Sequence, residues 1–377
     1  MPTKFVAGTG FIVLIGFSIL LLACGGGSSS KGMLYVTTQG DSLISNFRVN
    51  LDTGQLTDQS TGIATGTLPV AAVLAPSGNE IFVLNGDCSG GTDVCNSISA
   101  YSVDSDGSIK AAGTTPVNGI DPIRMAFNSD GSLLFVACAG SDTISVFTVS
   151  GTSLTEQTGV GFPFPVLSHP TAIAVPSNAS FLYVTNSLNA TVSAYSFDSN
   201  GVLTPIFNPP ANEFTVGTNP SGLVITPKGA FLYVADFTSN DVFGFEICSV
   251  VSTDCLAADG SLVPVHGTPT PVGLGPLSMA IDPLGQFLYV ANYNSHQISG
   301  FIIASGTGSL STMNTPTIST GTNPVWVAIH PSGKFAYVAN NGAATVSQFT
   351  VNGTSGVLGV IGTPVTVSNQ PSAIVLR

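Results

Sequence analysis

Three side chains stand out for the chemistry they could do. Arg124 is one of only three arginines, with Arg48 and Arg377. Asp121 lies just ahead of it, before Pro122, and His169 holds the same place before Pro170. An acid or base beside a cation that can hold an oxyanion is what hydrolysis at a carbonyl requires. Trp326, the only tryptophan, falls two residues after Pro324, as Arg124 falls two after Pro122. Elsewhere that slot holds Ala71, Ala172, Gly222, Ser278 and Ala373. Asp236 occupies a second recurring slot, filled by Asn186, Asn292 and Asn340 in sister segments. These five residues are the candidates for one ligand site. A structural alternative stands beside it, in which Arg124 pairs with Asp121, Trp326 fills a packing gap and His169 caps a loop.

The elements that position them repeat. Gly285-Gln286-Phe287-Leu288-Tyr289-Val290-Ala291-Asn292 has near copies whose aromatic falls at Tyr35, Phe82, Phe135, Tyr183, Tyr233 and Tyr337. The spacing is roughly 50 residues, the length of a four-stranded propeller blade. Each copy follows a proline-initiated strand, such as Pro170–Val175 or Pro324–His330, in which large residues alternate with Ala or Val. That period of two is a strand. A turn such as Pro331-Ser332-Gly333 joins the two strands. A third strand follows, such as Thr345–Val351, and then an outer one. The first repeat opens on a second-type strand, Met33–Thr37, and the chain ends on a first-type strand, Pro371–Leu376. Seven of each match only if the last strand completes the first blade. The expectation is therefore an all-β, seven-bladed β-propeller over 33–377, its ring closed without an exposed edge.

Here the residues carry a resemblance. Pro331–Asn340 followed by Thr345-Val346-Ser347, and Tyr183-Val184-Thr185-Asn186, resemble the YVTN-type repeats of the seven-bladed, lactonase-like propeller family. The resemblance implies the fold over essentially all of 33–377. For activity it implies sugar-lactone hydrolysis of the 6-phosphogluconolactonase kind, and members without an assigned reaction also exist. The family's His-Pro-His motif is matched only by His169-Pro170-Thr171, and its Asp-Leu-Gly by Asn186-Ser187-Leu188.

The N-terminus points to an envelope protein. Lys4, the apolar run Phe5–Ala23 and then Leu21-Leu22-Ala23-Cys24 resemble a bacterial lipoprotein signal over 1–23. The resemblance implies cleavage before Cys24, its lipidation, and a Gly/Ser tether over 24–32. Gly25 favours the outer membrane. A plain transmembrane anchor is the rival reading. Loss of Lys4 leaves seven cations against 20 acids, a net charge of −13. So acidic a chain is a poor partner for nucleic acid or highly phosphorylated ligands. Cys88 with Cys95, and Cys248 with Cys255, are spaced as hairpin disulfides for an oxidising compartment, while Cys138 is left as a buried thiol. No cofactor or metal site is expected.

Two functions are consistent with these residues. The favoured one is a lipid-anchored, monomeric propeller that binds a small molecule or an envelope protein. The other is hydrolysis of an uncharged or weakly charged sugar lactone through Asp121, Arg124 and His169.

Overall fold

The computed structural model describes residues 32–377 apart from 58–59, 87–95, 160, 207–212, 250–254 and 256–258. The proposed signal, Cys24 and the Cys88–Cys95 pair lie outside the described residues. Seven antiparallel sheets form seven blades, with no helix among the described residues. The inner strands are Pro69–Leu74, Pro122–Phe127, Pro170–Ala174, Pro220–Ile225, Pro276–Ile281 and Pro324–Ile329 for blades 2 to 7, and Pro371–Leu376 for blade 1. Each packs against the next, and the last and first also meet, so the ring is closed.

Closure is as the strand count requires. Leu34 pairs with Leu376, Val36 with Ile374 and Thr37 with Ala373. Met33 and Arg377 exchange two backbone hydrogen bonds of 2.9 Å. Within the inner strands the third residue after proline is buried, as Met125, Ile173, Met279, Val327 and Ile374 show. The fifth is less covered: Val175, Ile225 and Leu376 are only half-buried. Val175 and Ile225 lie where the chain turns back into the second strand, and Leu376 at the same end of its strand.

The repeated tyrosine has a structural task. Tyr183, Tyr233, Tyr289 and Tyr337 are buried on one strand and donate to the carbonyls of Gly260, Gly308, Gly356 and Gly54 in the next blade, at 2.6–2.8 Å. Tyr35 reaches Gly107 in the same way at 2.9 Å. Each hydroxyl ties two blades together and satisfies a phenol that burial would otherwise penalise. Blades 2 and 3 carry Phe82 and Phe135 instead; their rings pack on Phe127 and Phe197 of the following blade.

Four strands per blade hold for blades 2 and 6. In the other five, a fifth short strand pairs back onto the third. The outermost strand carries a ladder on one side only, so a loop inserted there breaks the fewest bonds. Cys248 and Cys255 are bonded across the outer hairpin of blade 5, and Cys138 is a buried free thiol. Closing so short a loop is worth about 2–3 kcal/mol.

Candidate functional site

All seven inner strands start at the same end of the channel. The residue before each proline has a left-handed backbone: Leu68, Asp121, His169, Asn219, Gly275, Asn323 and Gln370, with φ between 49° and 66°. Its carbonyl accepts an N–H from the residue that follows the second strand, for example Ala139 to Asp121 at 2.8 Å and Ser187 to His169 at 3.0 Å. Asp, Asn and His tolerate this conformation better than most residues, so Asp121 and His169 have a backbone reason for their places. The His169 N–H also donates to Asp142 Oδ1 of the preceding blade at 2.6 Å. Its imidazole is exposed, and the Asp121 side chain is half-buried.

Arg124 and Trp326 meet across the channel. They belong to blades 3 and 7, and the guanidinium carbon stands 5.5 Å from the indole centroid. Nη1 donates to the Ile123 carbonyl at 2.8 Å. Arg124 has no carboxylate partner among the described residues, so the expected structural alternative, a pair with Asp121, does not form. Both side chains keep some solvent exposure, yet the walls of the channel surround the guanidinium. That enclosure pulls its pKa down to about 10, and the group remains a cation at neutral pH. Cation–π contact contributes about 0.5–2 kcal/mol. An enclosed cation without a counter-ion among the described residues is a functional-site candidate.

Asp236 lies at the same end, opposite Pro220, but its side chain does not open to the channel. It was grouped with the funnel, but it is fully buried inside blade 5 and paired across the ladder with Asp241. In four sister blades the equivalent Asn donates to a serine hydroxyl on the third strand: Asn85 to Ser99 at 3.0 Å, and Asn186 to Ser193, Asn292 to Ser299 and Asn340 to Ser347 at 2.9 Å. In blade 5 Phe243 takes the serine's place opposite Val234, and neither Asp236 oxygen has a hydrogen-bond partner. Burial, reinforced by Asp241, pushes Asp236 up to about 8. Asp241 is raised too, chiefly by burial.

The pH dependence follows in sign. The unfolded carboxyl ionises near 4, whereas the folded one keeps its proton up to about 8. Folding therefore takes up a proton between those values, and stability should fall as pH rises from 4 to 8 and then level off. Asp236→Asn restores the donor of the sister blades, now facing the Asp241 carboxylate. It should stabilise the fold by about 2–4 kcal/mol at pH 8 and flatten the melting curve against pH. Parallel wild-type and variant curves from pH 4 to 9 would show that Asp236 does not carry this pH dependence.

Comparison with known proteins settles the family. The lactonase, seven-bladed β-propeller family model matches residues 71–168 and 162–328. The chain belongs to that family. Among curated relatives, the 6-phosphogluconolactonase of Yersinia pestis (strain Pestoides F) is 27% identical over 229 residues, 58% of this chain and 64% of the relative, so the chain spans just under two thirds of that protein. The 6-phosphogluconolactonase of Enterobacter sp. (strain 638) is 27% identical over 297 residues, 75% of this chain and 81% of the relative. Of solved structures, the periplasmic gluconolactonase of Pseudomonas aeruginosa superposes with a TM-score of 0.75 at 22% identity, covering 92% of this chain and 99% of that one. A putative 6-phosphogluconolactonase of Bacteroides fragilis gives 0.75 at 20%, covering 93% and 99%. These structural likenesses speak for the fold.

Within this lactonase-family propeller, two mouth residues escaped the sequence reading. Phe237 and Tyr293 directly follow the second strands of blades 5 and 6, where other blades carry Gln39, Gly86, Ala139, Ser187 and Asn341. Aligning the repeats one residue further would have exposed them. Of the other histidines, His266 and His296 are exposed, as expected of loop residues, and His296 Nδ1 accepts the Asn323 N–H at 3.1 Å. His330, also expected in solvent, is buried; Nδ1 accepts the Ser332 N–H at 3.1 Å, and burial lowers its pKa.

Proposed function

We propose that the chain hydrolyses an uncharged or singly charged sugar lactone at the Arg124 end of the channel. The observation that carries this is the enclosed, unpaired Arg124 cation, in a family whose matched curated relatives are named 6-phosphogluconolactonase. Water adds to the lactone carbonyl, and Arg124 holds the resulting oxyanion. The ring C–O bond then breaks and the ring oxygen takes up a proton, leaving a hydroxy acid. Asp121 or His169, at neighbouring corners of the same mouth, takes the proton from water and returns it. The single cation argues for low substrate charge. The other cations among the described residues, Arg48, Lys110, Lys228, Lys334 and Arg377, lie in or beside turns at the opposite end. A pH-stat assay over sugar lactones of different ring size and charge tests the reading. It expects acid release from neutral sugar lactones, and release from none of them would refute it.

Binding without catalysis is a second reading, favoured by one observation: among the described residues no carboxylate touches Arg124, and an indole face does. The same assay separates the two.

We also propose lipidation at Cys24, on the strength of Leu21-Leu22-Ala23-Cys24. The first strand starts at Gly32, paired with Val49, at the end remote from the prolines. Cys24→Ala should remove the protein from the membrane fraction or leave it uncleaved; a processed, membrane-bound variant would rule the anchor out.

A further inference from the structure

We infer that Phe237 and Tyr293 form a stacking platform for the carbon face of a pyranose ring, at the same end of the channel as the Arg124–Trp326 bridge. The inference rests on the lactone-site reading for its location, but its chemistry is carbohydrate binding in its own right. The two rings belong to adjacent blades, and their centroids are 6.5 Å apart at 47°. Both are only partly covered. Their backbones are pinned at the mouth, where the Phe237 N–H donates to the Asn219 carbonyl at 2.9 Å and the Tyr293 N–H to the Gly275 carbonyl at 2.8 Å.

Blade 6 makes room for them. Its left-handed corner is Gly275, the one glycine among seven such corners. A Cβ added there would stand 3.2 Å from Phe237 Cε2 and 2.6 Å from Asn294 Nδ2. The Phe237 ring thus leans over the neighbouring blade's corner, where every other blade projects a side chain. Leu274, beside it, is 58% exposed, so the platform continues as an apolar surface. Trp326 lies in the next blade round. Blades 5 to 7 therefore present aromatic faces, and blades 3 and 4 present Arg124, Asp121 and His169.

The amides decide the ligand class. The side chains of Asn219 and Asn294, next to the two rings, make no hydrogen bond among the described residues, so both are free to exchange bonds with hydroxyls. Aromatic faces flanked by uncharged amides suit a ring that is apolar on one face and hydroxylated at its edge. A flat aliphatic lactone offers only the carbonyl to Arg124 and gains nothing from these amides.

Trp326 is the only tryptophan, so intrinsic fluorescence reports on this mouth directly. The purified protein is titrated in stopped flow with D-glucono-1,5-lactone, with D-glucose, which cannot be hydrolysed, and with δ-valerolactone, which has the ring but no hydroxyls. The two sugars are expected to change Trp326 emission saturably, with δ-valerolactone at least tenfold weaker. The double variant Phe237→Ala/Tyr293→Ala should weaken sugar binding at least tenfold at unchanged melting temperature, and Phe237→Tyr/Tyr293→Phe should restore it. If no lactone is hydrolysed but this pattern holds, the platform stands and only the catalytic reading falls. The platform is overturned if sugars leave the emission unchanged, if δ-valerolactone binds as tightly as gluconolactone, or if the Ala variant binds sugar within twofold of wild type.

Discussion

Deleting residues 371–377 should abolish the cooperative fold, although seven-residue tails are usually dispensable. This tail is the innermost strand of blade 1. It supplies the ladder to Leu34–Thr38, and the Thr37 and Ser372 hydroxyls bond at 2.9 Å. Ile374 and Val375 are buried in two separate inter-blade cores. Their burial alone is worth about 3–6 kcal/mol, against a total stability of about 5–15 kcal/mol. Arg377 adds a bond from Nη1 to the Asp104 carbonyl of blade 2 at 2.7 Å. Without the strand, blades 7 and 2 lose the surface on which they close, and the second strand of blade 1 becomes an open edge. Thermal melts should show a broad, low-temperature or absent transition, with aggregation. A truncated protein melting within about 2 °C of wild type would mean that the ring does not depend on this closure.

Arg124→Ala should lower kcat for lactone hydrolysis by about 100- to 1,000-fold, the usual cost of removing an oxyanion-stabilising group. Stability should move little, or upward. The guanidinium is enclosed without a counter-ion among the described residues, and the variant loses the contact to Trp326 and one hydrogen bond to the Ile123 carbonyl while shedding that desolvated charge. Lost activity at equal or greater stability is the signature of a residue kept for function. Arg124→Lys keeps the charge but not the planar fork, so it should recover part of the rate. A large drop in melting temperature in step with activity would instead make Arg124 a packing residue, and an unaltered rate would remove it from the site.

The fold was legible because it is written seven times. The proline-led strand, the Tyr-Val strand and the offset at the two termini gave the blade count and the closure together. Arg124 and Trp326 were legible for the same reason, since a fixed slot that is small in five blades makes two large occupants conspicuous. That they touch was not legible: it depends on how far two long side chains reach across the channel. Asp236 misled because a register position does not say which way a side chain faces. Its partner, Asp241, lies beyond a turn, and only the ladder brings the two carboxylates together inside the blade. Asp121 and His169 were legible as a matched pair, but the left-handed corner they share is a property of backbone geometry that no single residue announces.

The most direct test of the account is enzyme-dependent ring opening of D-glucono-1,5-lactone, followed as acid release at constant pH with the purified protein. The account predicts a rate that saturates with lactone, scales with protein and is lost in Arg124→Ala protein that still melts normally. A wild-type rate equal to spontaneous hydrolysis, or one that Arg124→Ala leaves intact, would contradict it.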